Sequence, residues 1–232
     1  MKVGVLQFPG SNCDQDALWS LRDDLGYQAE YVWHESDSLE GFDAAFVPGG
    51  FTYGDYLRCG AIAGQSPIVG ALKDFAKQGK PVIGVCNGFQ ILCEAGMLPG
   101  ALLLNASQKF VSKFIYLKAK NRTSPWTRGV ERVLRIPVAH GEGRYVCDED
   151  KLKQLQDGDR IAFLYVDDEG RPTEGANPNG STANIAGVLN LEGNVLGMMP
   201  HPERATRNLL GSDDGLVILR ALELVSTGYK TR

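Results

Sequence analysis

The sequence predicts an α/β fold with a central, mostly parallel β-sheet. Short apolar runs alternate with helical segments through the first half of the chain, and such alternation produces parallel strands joined by right-handed crossovers. The chain has 232 residues with a hydrophobic content of 43%, which suits one domain with a sizeable core. We therefore expect residues 1–232 to form a single domain.

Apolar patterning and turn residues place the elements of the first half. Each expected helix ends at a glycine, at positions 26, 79 and 96, which is the usual helix-stop signal. The run at 82–85 is short, apolar and β-branched, as in buried parallel strands. The expected strands are 2–8, 27–33, 44–47 and 82–85, and the expected helices are 11–25, 68–78 and 87–95.

The second half is less regular, and its pattern predicts a small antiparallel patch beside the parallel sheet. Residues 114–118 and 133–138 are the strands expected in that patch. Residues 167–181 are rich in Gly, Pro, Asn and Asp, which indicates a loop. The remaining expected elements are strands at 161–166, 185–189 and 195–199 and a helix at 215–225.

Composition excludes several classes of function. The net charge of −4 and pI near 5.5 argue against nucleic acid as a partner. No apolar run approaches the ~18 residues that a membrane span needs. Five cysteines without a CxxC motif, and an N-terminus without a signal peptide, predict a reducing, cytoplasmic location without disulfides.

Cys86 is the candidate nucleophile. It joins an expected strand to an expected helix, between Gly84 and Gly88, which is the G-x-nucleophile-x-G elbow with cysteine in place of serine. The positive end of the following helix favours a thiolate. A lone cysteine is more often a small buried hydrophobic residue, but the flanking glycines favour the nucleophile.

His201 is the candidate base. It follows an apolar run and stands between two prolines, and Glu203 lies two residues further on, where it can orient the imidazole. Cys86 and His201 both follow strands, and sites gather at the carboxyl ends of parallel strands. His140 is the rival base, although no orienting carboxylate lies beyond its glycine-rich turn. His34 is expected on a surface loop.

The glycine pair Gly49-Gly50 is a candidate for half of an oxyanion hole. It follows the expected strand 44–47, and glycines leave backbone N–H groups open to a ligand. The N–H of Asn87, the residue after the nucleophile, is the expected second donor. A plain tight turn is the alternative interpretation of the glycine pair.

These and further motifs resemble the class I, triad-type glutamine amidotransferases. Within that family the resemblance is strongest to glutaminase subunits of an ATP-dependent synthase of purine biosynthesis. Residues 121–131 carry no recognisable signature. The matching blocks are Pro48-Gly49-Gly50, Gly84 to Gln90 and His201-Pro202-Glu203, extended by residues 7–14, 50–58, 137–144, 177–181 and 197–204.

The resemblance implies a flavodoxin-like, three-layer fold and hydrolysis of L-glutamine to glutamate and ammonia. It implies that the catalytic residues are Cys86, His201 and Glu203. It further implies an oxyanion hole formed by Gly50 and Asn87. The implied substrate contacts are Gly49, Phe51 and Gln90. A solvated helix position is the alternative for Gln90, and no metal or cofactor is expected in this chain.

The implied partner is a separate synthetase subunit that uses the ammonia and ATP to convert formylglycinamide ribonucleotide to formylglycinamidine ribonucleotide. Some family members also require a small third subunit. The chain has no G-x-x-x-x-G-K-[ST] loop, which fits ATP chemistry in another polypeptide. Residues 51–58 and 140–145 are candidate contacts with the synthetase, with ordinary loop packing as the alternative.

Two other functions compete with this interpretation. The first is a glutaminase that serves another synthetase, or a related cysteine hydrolase that works alone; blocks 50–58 and 177–181 argue against it. The second is a regulatory module without activity on the same fold. Such modules usually lose the nucleophile or the base, and both are present here.

Overall fold

A nine-stranded β-sheet forms the centre of the computed structural model, which describes residues 1–228. Its strand order is β2-β1-β3-β4-β11-β10-β9-β6-β7, and β5 and β8 form a separate two-stranded sheet. The strands are β1 (Lys2–Gln7), β2 (Gln28–Trp33), β3 (Ala44–Val47), β4 (Val82–Val85), β5 (Ala101–Leu103), β6 (Val111–Ala119), β7 (Leu134–His140), β8 (Arg144–Val146), β9 (Ile161–Val166), β10 (Ile185–Leu189) and β11 (Val195–Met198).

The first five strands of this order, β2-β1-β3-β4-β11, are all parallel. This is the flavodoxin-like strand order. From β1 the chain first adds β2 on one side and then β3 on the other, so the topological switch point lies between β1 and β3. The expected fold class is therefore confirmed. Val82, Ile83 and Val85 of β4 are fully buried, as a central strand covered on both faces requires.

The antiparallel strands belong to a different sheet from the one expected. Strands β6 and β7 contain the two segments expected in a small patch, and they pair antiparallel with each other. They belong to the main sheet, however, because β6 also pairs with β9. The small separate sheet is β5 with β8, two three-residue strands whose patterning is too short to detect.

Four of the five helices within residues 1–228 form two groups. The five helices are α1 (Asp14–Trp19), α2 (Pro67–Lys77), α3 (Asn87–Glu94), α4 (Glu149–Asp157) and α5 (Gly215–Ser226). α2 and α3 share contacts with the 3₁₀ turn Ala63–Gln65, whereas α1 and α5 share contacts with the 3₁₀ turn Pro202–Arg204. Right-handed crossovers place the two groups on opposite faces of the sheet, which produces three layers.

Most expected elements agree with the structure within two residues, and besides β5 and β8 there are three further differences. α1 begins at Asp14 rather than at residue 11 and continues as the π-helical segment Ser20–Asp24. β6 is longer at both ends than expected. α4 is an additional helix. No helix within residues 1–228 is long and apolar enough to cross a membrane.

Candidate active site

Cys86 lies on a strained turn between β4 and α3. Its backbone has φ 52° and ψ −108°, a conformation that costs an L-residue about 1–3 kcal/mol and is typical of functional sites. A Cβ atom at Gly88 would collide with the carbonyl oxygen of Val47, and one at Gly84 would lie 2.8 Å from the Gly88 oxygen. Close backbone approach therefore requires both flanking glycines, as the elbow predicts.

His201 and Glu203 form a buried pair at the end of β11. The imidazole Nδ1 and the Glu203 Oε1 are 2.6 Å apart, and the two residues are 1% and 2% exposed. Burial on its own lowers the pKa of His201, but the charge of Glu203 and, after it, Cys86 raise this pKa to about 10. The pair therefore favours an imidazolium close to the candidate nucleophile.

Gly49 separates the three side chains that meet at the carboxyl edge of the sheet. A Cβ atom there would lie 2.9 Å from His201 Cε1, 3.1 Å from Cys13 Sγ and 3.3 Å from Cys86 Cβ. The Cys86 thiol donates to the carbonyl oxygen of Ala139 at 3.6 Å. His201 Nε2 has no hydrogen-bond partner among the described residues, so this nitrogen is available for a reacting group.

One cavity of about 290 Å³ collects five of the eight expected site residues, whereas Gly49, Asn87 and Glu203 do not line it. Its lining includes Cys86, His201, Gly50, Phe51 and Gln90. Glu203 lies behind His201 and orients it. Gly50 has φ +147°, so the loop that carries it has a conformation suited to glycine.

Asn87 and Gln90 form a buried hydrogen-bonded chain beside the nucleophile. Asn87 Oδ1 accepts from the N–H of Thr52 at 3.3 Å, and its Nδ2 donates to Gln90 Oε1 at 2.8 Å. Gln90 Nε2 donates in turn to the carbonyl oxygen of Glu142 at 2.7 Å. Gln90 is 5% exposed and is therefore not a solvated helix position.

Cys13 and Arg204 belong to the same cavity, although neither was among the expected site residues. Arg204 donates to Cys13 Sγ at 3.1 Å and to Asp16 Oδ2 at 2.8 Å. Burial, reinforced by the charge of Glu203, raises the pKa of the Cys13 thiol well above its ordinary range. Cys13 comes shortly after β1 in the chain. It reaches the site because β1, β3 and β4 are neighbours in the sheet.

Among residues 1–228, one group of side chains has the spacing of a metal site. Ligand atoms of Cys13, His201 and Glu203 lie within 4.8 Å of one another. The His201–Glu203 hydrogen bond already uses two of these side chains, and the Arg204 guanidinium adds a positive charge next to the Cys13 sulfur. These contacts disfavour a cation, and the expectation of no metal stays a prediction.

Comparison with known proteins identifies the family. Residues 1–213 match the model of the CobB/CobQ-like glutamine amidotransferase domain. This chain belongs to that family. It is 42% identical to a chain in the structure of PurLQS from Thermotoga maritima, with a TM-score of 0.84, and the match covers 96% of this chain and 97% of that one.

Two more distant structures share the amidotransferase fold. One is a GMP synthase subunit protein from Thermoplasma acidophilum, with 16% identity, a TM-score of 0.63 and coverage of 99% of this chain and 95% of that one. The other is a glutamine amidotransferase from Thermotoga maritima, with 14% identity, a TM-score of 0.58 and coverage of 98% and 94%. At these identities the likeness concerns the fold alone.

His140 lines the amidotransferase cavity but is not oriented as a base. Its Nδ1 lies 3.1 Å from Asn105 Oδ1, and its Nε2 lies 3.5 Å from Asn179 Nδ2. Burial and, second, the charge of His201 lower the pKa of His140 to about 4. Both ring nitrogens therefore have uncharged partners, and the carboxylate partner that a triad needs is found at His201.

Proposed function

We propose that the chain is the glutaminase subunit of phosphoribosylformylglycinamidine synthase. The observation that carries this proposal is the arrangement of Cys86 on its strained elbow beside the buried His201–Glu203 pair, with Cys86 and His201 lining one cavity. Family membership and the 42% identity to PurLQS support the same function. The substrate is L-glutamine, and the products are glutamate and ammonia.

In the proposed first step, the Cys86 thiolate attacks the side-chain carbonyl of glutamine. The resulting oxyanion is held by the backbone N–H groups of Gly50 and Asn87, each worth about 10²–10³ in rate. His201 then gives its proton to the departing nitrogen, so that ammonia leaves and a thioester to Cys86 remains. The raised pKa of His201 supports its role as the proton donor.

In the second step, neutral His201 accepts a proton from water, and the hydroxide attacks the thioester. Glutamate is released and the Cys86 thiolate returns, so that one water is consumed for each amide cleaved. Glu203 orients the imidazole in both steps. Gly49, Phe51 and Gln90 are the proposed substrate contacts. This chemistry needs no cofactor or metal in the chain.

The proposed partner is the ATP-dependent synthetase subunit, which receives the ammonia and makes formylglycinamidine ribonucleotide. A small third subunit is a further proposed component, in line with the composite name PurLQS of the similar structure. The chain would act in the cytoplasm, as one domain over residues 1–232. We propose no nucleic-acid partner.

Covalent labelling tests the nucleophile directly. An electrophilic glutamine analogue should add to Cys86 alone, detected by peptide mass spectrometry, with Cys13, Cys59, Cys93 and Cys147 as internal controls. Cys86→Ala should lose the label and the glutaminase activity, with a loss of at least about 10³-fold, while still binding glutamine. Glutamine turnover by Cys86→Ala, or labelling of another cysteine, would refute the assignment.

The identity of the synthetase needs a separate assay. The chain should hydrolyse glutamine slowly alone and faster when the formylglycinamidine ribonucleotide synthetase is added with ATP and its nucleotide substrate. A matched assay with a GMP-forming synthetase should give no stimulation. Stimulation by the second enzyme only would contradict the proposed pathway and leave the glutaminase chemistry intact.

A further inference from the structure

The end of β7 and the turn that joins it to β8, residues 139–143, form one wall of the cavity through their backbone. The Ala139 carbonyl oxygen accepts from the Cys86 thiol, and the Glu142 carbonyl oxygen accepts from Gln90. Two carbonyl groups of this segment therefore touch side chains of the proposed site. Any shift of residues 139–143 would move both contacts together.

Two buried asparagines hold this segment. Asn105 Nδ2 donates to the His140 carbonyl oxygen at 2.9 Å, and Asn105 Oδ1 accepts from the Gly143 N–H at 3.0 Å. Asn179 Nδ2 donates to the Gly143 carbonyl oxygen at 2.8 Å. Asn105 and Asn179 are 1% and 2% exposed, so these bonds are shielded from water.

The same asparagines determine the state of the His140 ring. Their other hydrogen bonds fix each amide, because Asn105 Nδ2 also donates to Lys109 O and Asn179 Oδ1 accepts from Ser181 Oγ. Asn105 Oδ1 therefore accepts from His140 Nδ1–H. Asn179 Nδ2 gives one hydrogen to the Gly143 carbonyl oxygen and shares the other between the Tyr165 hydroxyl at 3.3 Å and His140 Nε2 at 3.5 Å. Nε2 therefore faces a donor, which favours an unprotonated nitrogen there.

The surroundings of His140 contain no carboxylate in direct contact with the ring among the described residues. The titratable groups that face it are His201 and, through Asn179, the hydroxyl of Tyr165. The other titratable or charged side chains that line the shared cavity are Cys13, Cys59, Cys86, Asp55, Glu142 and Arg204. A proton on His140 would place a second cation beside the His201 imidazolium, at a buried position.

We propose that Asn105 and Asn179 are positioning residues of the amidotransferase reaction, which hold His140 as the neutral Nδ1–H tautomer and thereby keep residues 139–143 aligned with Cys86 and Gln90. The inference rests on the proposed glutaminase function for its kinetic readout. It gives His140 a role different from that of a base: an uncharged anchor of the cavity wall.

Asn179→Asp tests the proposal with almost no change in side-chain volume. The new carboxylate replaces the donor at His140 Nε2 with an acceptor, so protonation of the ring becomes favourable. Its matched control is Asn184→Asp, in which the parent amide bonds Tyr165 O and Thr173 O and does not line the cavity. Both variants are assayed as the complex with the synthetase.

The first readout is NMR of Cε1-labelled histidine, since the chain has only three histidines. In the native protein and in Asn184→Asp, the His140 signal should not titrate between pH 8 and pH 5, in line with its pKa of about 4. In Asn179→Asp it should titrate near or above the ordinary value of ~6.5. A native His140 that titrates near 6.5 would overturn the proposal.

The second readout is the pH profile of glutamine hydrolysis. In Asn179→Asp, kcat should fall roughly tenfold as His140 gains its proton, which is within the range known for small misplacements of reacting groups. An unchanged profile after His140 becomes charged would also overturn the proposal.

If Asn179→Asp fails to fold, Asn105→Asp places a carboxylate at His140 Nδ1 and should give the same fall in kcat. Absence of glutaminase activity in the native complex would instead refute the proposed function, and the NMR titration would still test the neutral ring.

Discussion

At the residue scale, the charge of Glu203 connects the candidate active site to the pH dependence of stability. The pKa of His201 in the folded protein is about 10, against an ordinary 6.5. Folding therefore stabilises the protonated ring, and this contribution is complete below about pH 6.5 and disappears as the pH rises through about 10. Glu203→Gln keeps the shape of the side chain and removes the charge that raises this pKa.

We expect Glu203→Gln to flatten the loss of unfolding free energy between pH 6.5 and 10, measured by urea denaturation. Glutaminase activity should fall by as much as about 10⁴-fold, as in other triads that lose the carboxylate. Glu192→Gln, in the turn before β11, is the control and should retain the native slope. Equal slopes in the native protein and Glu203→Gln would contradict the assigned coupling.

Residue chemistry alone indicated much of the candidate site. Cys86 and His201 could be found because their neighbours are diagnostic: glycines around the first, and prolines with a glutamate beside the second. Cys13 could not be found in this way, because its approach to Gly49 depends on the order of β1 and β3 in the sheet. The neutral state of His140 depends on Asn105 and Asn179, which are distant in the chain.

At the element scale, the strand-to-helix turn at Cys86 depends on the absence of a side chain at Gly88. Gly88→Ala should destabilise the protein by about 1–3 kcal/mol, since its methyl group would overlap the Val47 carbonyl and the packed backbone has little room to move. Gly70→Ala is the matched control. Gly70 is exposed in α2, and a methyl group added there would meet no neighbouring group within 4 Å.

Gly70→Ala should stabilise the protein by about 0.4–1 kcal/mol, because alanine lowers the entropy of the unfolded chain and favours the helix. Urea denaturation midpoints of both variants provide the comparison. Similar midpoints for Gly88→Ala and the native protein would contradict the close packing of the elbow. Loss of glutamine-analogue labelling in Gly88→Ala would connect the turn to the reactivity of Cys86.

Element boundaries were predictable where the local pattern is strong, as in β3, β4, β9 and β10. The helix α4 was not predicted, because only two leucines in it are apolar and most of its surface faces water. Its signals were nevertheless present. Asp148 caps the helix by accepting from the Lys151 N–H at 2.7 Å, and acidic residues occupy the first turn, both of which favour a helix start.

At the scale of the whole molecule, the segment 51–58 leads from the cavity to an exposed apolar surface. Tyr56 and Leu57 are 75% and 89% exposed, and two adjacent large side chains on the surface suit a protein interface. We expect the double change Tyr56→Ala with Leu57→Ala to weaken binding of the synthetase at least tenfold, as hot-spot residues do. Labelling of Cys86 by the glutamine analogue should be unchanged.

Leu191→Ala is the control for that surface. Leu191 is 78% exposed in the turn between β10 and β11, at the end of the sheet opposite Cys86. Its loss should leave synthetase binding, measured by titration calorimetry, at the native value. Equal weakening by the two changes would contradict an interface at residues 51–58.

The topology of the whole sheet was predictable only in its parallel half. Strand–helix alternation determines the chain direction and handedness of β1 to β4. The second half lacks long helices between its strands, so local patterning cannot tell a separate patch from an extension of the main sheet. The pairing of β6 with β9 decides this, and it joins segments far apart in the chain.

The position of β11 has a consequence for the timing of activity during protein synthesis. β11 is among the last strands to leave the ribosome, yet it lies in the middle of the sheet, between β4 and β10. His201 reaches Cys86 only after this strand has been inserted. A nascent or truncated chain would therefore carry the proposed nucleophile without its imidazole, and we expect no glutamine hydrolysis until the whole sheet has assembled.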